Sequence, residues 1–219
     1  MSRRGRFVVL EGLDGAGTTT QAARLARALR RAGHAVVLTR EPSSGPVGVL
    51  LRKALGRRLG RSRRRPLTDA ALALLFAADR LHHLASTVEP GLAAGAIVVS
   101  DRYVLSSFAY QGRVLDLQWL ELLNARAPAP DLTLFLEVRP RVAAVRRQKR
   151  GGRAERFDDA ATQAAVARAY DEVVTRHARA HHIRRLDGER TVDAVAGQIQ
   201  AAVAALLSRS SARPKQRLR

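Results

Sequence analysis

A glycine-rich segment near the start of the chain has residue types and spacing that suit the binding of phosphate groups. It stands between an apolar run that ends at Glu11 and a helical pattern that begins at Gln21. Glycines let the backbone turn tightly, so that successive N–H groups point at phosphate oxygens, and the positive end of the next helix faces the same anion. The final threonine hydroxyl can bind Mg²⁺. The segment comprises Gly12, Leu13, Asp14, Gly15, Ala16, Gly17, Thr18 and Thr19.

Thr18 departs from the phosphate-loop pattern G-x-x-x-x-G-K-[ST], which has a lysine at this position. The lysine normally places a positive charge against the transferring phosphates. A threonine hydroxyl donates one neutral hydrogen bond, and charge-assisted hydrogen bonds are about twice as strong. A phosphate-transferring chain of this sequence therefore needs another cation. Taken alone, the segment is also compatible with a tight strand-to-helix turn that binds nothing.

Short apolar runs alternate with helical patterns along the chain. Nearly continuous apolar runs indicate strands that are buried on both faces, and helices between them serve as crossovers. We therefore predict an α/β fold, with a doubly wound five-stranded parallel sheet and helices on both faces. The predicted strands are at 6–11, 35–39, 97–100, 132–137 and 183–186, and the predicted helices at 21–31, 46–58, 67–89, 104–110, 116–125, 140–149, 159–180 and 191–208.

Asp101 and Arg102 follow the third predicted strand directly. Ligands of open parallel sheets bind at the carboxyl edge of the strands, which is where these two residues must lie. The Asp101 carboxylate suits Mg²⁺ with its water shell. The planar guanidinium of Arg102 suits a phosphate.

The composition excludes several classes of protein. The 219 residues include no cysteine, which rules out disulfide scaffolds, thiol catalysis and thiolate zinc sites. The first apolar run is too short for a signal peptide, and no run suits a membrane span, so we expect a cytoplasmic protein. We predict one domain at 1–208 and a disordered tail at 209–219, which has five basic residues and no acid.

The chain is strongly basic, with 39 Lys and Arg against 19 Asp and Glu and a net charge of +20. Such a charge attracts polyanions. The residues 57–65 include six arginines, and together with the tail they could bind nucleic acid non-specifically. An arginine- and alanine-rich chain is also what the codon usage of a GC-rich genome produces.

Four blocks occur in order: LEGLDGAG at 10–17, REP at 40–42, LLFAADR at 74–80 and DRYVLSSFAYQ at 101–111. With these blocks the chain resembles the thymidylate kinase family from about Phe7 to about Leu207. The resemblance implies a P-loop kinase that transfers the γ-phosphoryl group of ATP to dTMP, in the synthesis of dTTP, with Mg²⁺ held near Thr19 and Asp101. It also implies a homodimer.

The resemblance further implies roles for the acceptor-site residues. Phe76 and Arg80 lie at i and i+4 of a predicted helix and so point the same way; in the family they stack on thymine and bind its carbonyl edge. Asp14 would reach the acceptor sugar. The other acceptor-site residues are Arg40 and Arg52 for the phosphate, Arg102 as its clamp, and Ser107, Tyr110 and Gln111 for the base and sugar.

A basic, glycine-containing segment at about 146–158 falls where the family has its lid. Some members of the family place an arginine in the phosphate loop after the aspartate, and others supply the catalytic arginine from the lid. Here the loop position is Gly15, which implies the lid type. We hypothesise that one or two lid cations replace the loop lysine. The lid candidates are Arg146, Arg147, Lys149, Arg150, Arg153 and Arg156, and the predicted catalytic residues are Asp14, Arg102, Arg147, Arg150 and Arg153.

Other functions stay open at this point. The chain could be a weakly active or inactive relative of these kinases, a kinase for another monophosphate, or a basic nucleic-acid-binding protein. The histidines add little chemistry: we expect His82, His83, His177 and His181 on helix surfaces, since no carboxylate-rich ligand set accompanies them.

Overall fold

The sheet has five strands, and every pairing in it is parallel. The computed structural model describes residues 4–55, 67–150 and 159–211. The strands are β1 (Arg6–Gly12), β2 (Val36–Arg40), β3 (Ile97–Asp101), β4 (Leu132–Glu137) and β5 (Ile183–Asp187). Their order is β2-β3-β1-β4-β5. The predicted α/β class, the parallel sheet and its five strands are confirmed.

Helices connect successive strands and cover the sheet. They are α1 (Thr18–Arg31), α2 (Pro46–Leu55), α3 (Asp69–His83), α4 (Glu89–Ala93), α5 (Val104–Gln111), α6 (Leu117–Leu123), α7 (Pro140–Arg150), α8 (Ala160–His177) and α9 (Val192–Ser211).

Several of the predicted helix boundaries differ from the structure: α1 begins at Thr18 rather than at 21, and α8 ends at His177 rather than at 180. The helix predicted at 67–89 is divided, because a π-helical turn at Leu84–Val88 separates α3 from α4. Pro90 lies in the first turn of α4, where a proline is tolerated because that N–H has no intrahelical partner. α9 continues to Ser211, past the predicted end at 208. The remaining tail residues, 212–219, and the basic run 57–65 lie outside the described residues.

β1 and β3 form the centre of the hydrophobic core. All residues of β3 are buried, as are all residues of β1 after Arg6. α1 packs directly against α9, and α5 packs against α8 and β1. The carboxyl ends of β1 and β3 are therefore fixed by their surroundings, and the phosphate loop and the Asp101 segment continue from these ends. No helix in the described parts of the chain is long and apolar enough to cross a membrane.

Candidate active site

The phosphate loop connects β1 to α1 and depends on glycine at two positions. Gly15 and Gly17 have φ angles of 90° and 97°, in the left-handed region that favours glycine. A Cβ at Gly15 would collide with the backbone oxygen of Ala143 and lie 3.0 Å from Cγ of Arg147. Because α7 lies so close to the loop, position 15 has no room for an arginine.

A cleft of about 430 Å³ opens beside this loop. Its wall includes loop residues from Asp14 to Thr19 and the start of α1. Opposite the loop lie Arg102, Arg146, Gly188, Arg190, Val192 and Val195. Three arginines and the positive end of α1 make this cleft suitable for a polyphosphate.

Thr19 and Asp101, the two residues predicted to hold a metal, are in contact. The Thr19 hydroxyl donates to Oδ2 of Asp101 over 2.5 Å. Oδ1 of Asp101 is buried and has no hydrogen-bond partner in the part of the chain that the structure describes. Carboxylate and hydroxyl oxygens are ligands that Mg²⁺ accepts. The residues present therefore fit a magnesium ion.

Asp14 and Arg102 form an ion pair at the carboxyl edge of the sheet. Nη2 of Arg102 lies 2.6 Å from Oδ1 of Asp14, and the Tyr110 hydroxyl donates to Oδ2 over 2.7 Å. Burial alone would raise the pKa of the Asp14 carboxyl, but Arg102 and the hydrogen bonds from Tyr110 and Gln163 lower it below its usual value. Asp14 is therefore a carboxylate at neutral pH.

The backbone at Arg102 has a φ of 75°, which is unusual for a residue other than glycine. Hydrogen bonds on both sides hold this conformation: Arg102 N donates to the oxygen of Leu10 over 2.9 Å, and the Ser100 hydroxyl donates to the oxygen of Arg102 over 2.8 Å. The turn directs the guanidinium back toward the phosphate loop, where Nη1 donates to the oxygen of Gly12 over 2.8 Å.

Behind Arg102 lies a group of buried polar residues that the sequence analysis did not select. Glu11 accepts from the backbone N–H groups of Tyr103 and Ser106 and from the hydroxyls of Ser106 and Tyr170. Burial raises the pKa of Glu11, and Arg102 and these donors offset part of the increase. One signal was present in the sequence, since Glu11 ends an otherwise apolar strand. Tyr170 carries no comparable signal.

A second, smaller cavity of about 160 Å³ lies on the other side of the Asp14–Arg102 pair. Most of the predicted acceptor-site residues meet here. Its wall consists of Asp14, Glu41, Pro42, Leu55, Phe76, Arg80, Arg102, Tyr103, Ser106, Ser107, Tyr110 and Gln111. Both amide atoms of Gln111, a residue that is 5% exposed, have no hydrogen-bond partner among the described residues.

Arg80 is 1% exposed and is surrounded by polar partners. Its guanidinium contacts Glu41 at 2.8 Å, donates to the Ser107 hydroxyl over 2.9 Å and donates to the side-chain oxygen of Asn124. His83 also contacts Glu41, at 3.3 Å. Arg80 therefore holds α3, the end of β2, α5 and α6 together while it faces the cavity.

His83 was expected on a helix surface, and this expectation is wrong. The residue is 1% exposed, and Nε2 of its ring lies 2.6 Å from the hydroxyl of Thr39 on β2. Its position on α3 faces the loop that follows β2 rather than solvent. No group of three or more His, Cys, Asp and Glu residues suited to a metal occurs within 4–55, 67–150 and 159–211.

Two predicted phosphate ligands, Arg40 and Arg52, do not line either cavity. Arg40 is exposed at the end of β2, where it pairs in register with Asp101 of β3. Arg52 donates to the backbone oxygens of Pro42 and Ser43. In this structure Arg52 fixes the loop after β2.

α7 brings two arginines to the phosphate loop. Nη1 of Arg147 donates to the oxygen of Asp14 over 2.6 Å and lies 3.3 Å from Oε1 of Gln163. Nη1 of Arg146 donates to the oxygen of Gly188 over 2.8 Å. The two other catalytic candidates are not placed: α7 ends at Arg150, whose side chain is not described, and Arg153 lies outside the described residues.

Comparison with known proteins agrees with this geometry. The family model "Thymidylate kinase" matches residues 10–199. Over 206 residues, covering 91% of this chain and 96% of the relative, the chain is 42% identical to "Thymidylate kinase" of Thiobacillus denitrificans. It is 38% identical to "Thymidylate kinase" of Ruegeria pomeroyi over 216 residues, 96% of this chain and all of the relative.

An archaeal relative matches over a shorter stretch. The chain is 47% identical to "Probable thymidylate kinase" of Thermococcus gammatolerans over 137 residues, 61% of this chain and 66% of that protein. The match thus spans slightly less than two thirds of the archaeal relative, whereas the two bacterial relatives match over nearly their whole length. The chain belongs to the thymidylate kinase family.

Proposed function

We propose that this chain transfers the γ-phosphoryl group of ATP to dTMP, giving ADP and dTDP. The observation that carries the proposal is that the two cavities share Asp14 and Arg102. A polyphosphate in the larger cavity and a nucleotide in the smaller one would meet end to end at this ion pair. A phosphate oxygen of dTMP then attacks the γ-phosphorus, and the bond from that phosphorus to the β,γ-bridging oxygen breaks as ADP leaves.

Gln111 and Arg80 together favour thymine over cytosine in the smaller cavity. Within the described residues the Gln111 amide has no partner, so its oxygen can accept from the N3–H of thymine and its N–H can donate to a carbonyl of thymine. The amide alone could flip, exchanging its oxygen and nitrogen, and would then match the hydrogen-bonding groups of cytosine equally well. Arg80 has donors only, so it favours the carbonyl O4 of thymine and disfavours the amino group that cytosine has there. Phe76 offers a ring on which the base can stack.

Asp14 and Arg102 act on the acceptor. The Nε–H of Arg102 has no hydrogen-bond partner among the described residues, and we expect this donor to bind the dTMP phosphate. Asp14 holds Nη2 of Arg102 and, with Tyr110, lies where the sugar hydroxyl would enter. Positioning of this kind is the main source of catalysis in phosphoryl transfer.

Magnesium is the metal that the Thr19–Asp101 pair suits. When bound, Mg²⁺ neutralises the charge that develops on the phosphates. Thr19 is exposed on the first turn of α1, at the wall of the larger cavity, and Asp101 holds its hydroxyl. These two residues would hold the ion directly or through its water shell.

The arginines of α7 are the proposed source of the charge that Thr18 lacks. Arg147 contacts the loop through the Asp14 oxygen, and within the described residues no carboxylate lies at salt-bridge distance from it. Its positive charge is therefore available to the phosphates. Arg146 lines the larger cavity itself. Arg150 and Arg153 remain candidates for the same task.

A homodimer in the cytoplasm fits the family and one surface of the structure. Leu74 and Leu81 lie at i and i+7 on α3, and they are 52% and 41% exposed. An apolar stripe of this kind is typical of a helix that packs against a second copy. A monomer in light scattering at micromolar concentration would refute the dimer.

The activity test uses the purified chain with Mg²⁺ and ATP, and it measures ADP release with dTMP, dUMP, dCMP, AMP or GMP as acceptor. We expect dTMP to give the highest kcat/KM, with dCMP well below it. Equal rates for dTMP and dCMP would refute the thymine assignment. Absence of transfer, together with salt-sensitive binding of DNA, would favour the nucleic-acid-binding alternative instead.

The Thr18 hypothesis needs a separate experiment. Replacing the compensating residue, Arg147→Ala, should lower kcat far more than the affinity for ATP, by about 10³-fold if the residue acts as an arginine finger. The second substitution Thr18→Lys should recover part of this loss. Arg141→Ala, at an exposed position of α7 outside the lid segment, is the matched control. The compensation would be contradicted if no single alanine substitution in the lid changes kcat by tenfold; the positions to test are Arg146, Arg147, Lys149, Arg150, Arg153 and Arg156.

A further inference from the structure

One end of the Arg102 guanidinium is held entirely by the protein. Nη1 lies 2.8 Å from the oxygen of Gly12, 3.1 Å from the hydroxyl of Ser106 and 3.1 Å from the hydroxyl of Tyr170. These three acceptors occupy both N–H bonds of Nη1. Nη2 makes one contact, with Asp14, so that Nε and the second N–H of Nη2 have no partner within the described residues. The guanidinium is thus divided into an anchored end and a free edge.

The anchored end depends on a buried carboxylate that does not touch Arg102 directly. Oε2 of Glu11 accepts from the Ser106 hydroxyl at 2.6 Å and from the Tyr170 hydroxyl at 3.0 Å. The two hydroxyl oxygens also lie 2.8 Å apart, so each hydroxyl gives its one proton either to Glu11 or to the other hydroxyl. The oxygen of each therefore presents lone pairs to Nη1 of Arg102. Glu11 therefore determines the direction in which both hydroxyls are polarised.

Tyr170 is the part of this arrangement that comes from outside the acceptor cavity. It lies on α8, is 0% exposed and does not line either cavity, so it cannot touch a ligand there. Its ring packs against Phe135 of β4, with centroids 5.3 Å apart, which fixes the hydroxyl in place. The hydroxyl alone reaches Arg102.

We propose that Tyr170 is a positioning residue for the acceptor phosphate: with Glu11 it fixes the anchored end of Arg102, so that the free edge of the guanidinium faces the phosphate of dTMP. This inference rests on the proposed function. The positioning role of Tyr170 can be distinguished from a role in packing by which part of the ligand it affects. Tyr170 acts on the phosphate of the acceptor and has no effect on its base or sugar.

The test compares the affinities of dTMP and thymidine, which differ only in the phosphate, for the wild type and Tyr170→Phe. The variant keeps the ring and its packing and removes the hydroxyl that accepts from Arg102 and donates to Glu11. We expect the affinity for dTMP to fall about tenfold and the KM for dTMP to rise with it. The affinity for thymidine and the KM for ATP should change less than twofold.

Thr175→Val is the matched control, because it removes a hydroxyl from the same helix. Thr175 bonds the oxygen of Asp171 and Arg185 on the protein surface, remote from Arg102. We expect this variant to bind both ligands as the wild type does. If Tyr170→Phe weakens the binding of neither ligand, or weakens dTMP and thymidine equally, the positioning role is refuted. A wild type that binds dTMP no better than dCMP would instead refute the proposed function itself.

Discussion

Replacing the buried amide of Gln111 should make the protein more stable and a poorer enzyme. Nε2 and Oε1 of Gln111 are buried and have no partner among the described residues. Leucine has a similar volume and no polar atoms, so Gln111→Leu removes this desolvation cost. We expect the free energy of unfolding to rise by about 1 kcal/mol. For a chain of this length the melting temperature should then rise by about 2–4 °C.

The same substitution removes two hydrogen bonds to the base. At about 1 kcal/mol each, their loss amounts to about 2 kcal/mol, which lowers kcat/KM for dTMP about 30-fold. The assay is ADP release at low dTMP concentration, beside calorimetric unfolding with and without dTMP. Added dTMP should raise the melting temperature of the wild type more than that of the variant.

Gln198→Leu provides a matched control on α9. Nε2 of Gln198 is also buried without a partner within the described ranges, but the residue lines neither cavity. This variant should keep the kcat/KM of the wild type. A Gln111→Leu variant that melts at a lower temperature than the wild type, or keeps its kcat/KM within threefold, would refute the reasoning.

Three further predictions concern stability. Arg80→Met leaves the buried Glu41 carboxylate without its cation and should cost about 3–5 kcal/mol in denaturant unfolding, even without substrate; a loss below 1 kcal/mol would contradict a structural role. Gly15→Ala should lower both the melting temperature and kcat, because the added Cβ meets the backbone of α7. Gly17→Ala has open space around the added Cβ, so it should cost only about 1–2 kcal/mol of stability through backbone strain. Burial and neighbouring histidines lower the pKa of His181 from 6.5 to about 4. Between pH 6.5 and pH 4 the unfolded chain binds more protons at His181 than the folded chain does, so the free energy of unfolding should fall as the pH drops through this range. His181→Leu should remove this part of the pH dependence of stability.

The sequence was sufficient for the parts of the site that depend on local spacing. The phosphate loop follows a strand and starts a helix, and any such connection in a parallel sheet places it at the carboxyl edge. Asp101 ends the neighbouring strand, so its contact with Thr19 follows from the same rule. Phe76 and Arg80 share a helix face by their spacing and both line the smaller cavity.

Partners that come from distant parts of the chain could not be predicted in this way. The contact of Arg80 with Asn124 depends on how α3 packs against α6, and no pattern in either helix specifies it. Tyr170 meets Glu11 across 159 residues, and in the sequence it is one aromatic residue of an amphipathic helix. His83 was misjudged for the same reason, because its burial depends on the loop after β2.

The strand order has a consequence for how the molecule opens locally. β1 lies between β3 and β4, and each of these neighbours is itself paired on the other side. β2 and β5 are edge strands, in which no residue of β2 and only Leu186 of β5 is buried. Amide hydrogens of β1 and β3 can therefore exchange with solvent only when the whole domain unfolds, while those at the edges exchange through fraying. The phosphate loop and Asp101 belong to the slowly exchanging centre, and Arg40 belongs to an edge. Local opening can thus release the loop after β2, and the acceptor cavity with it, while the phosphate-binding half of the molecule stays folded.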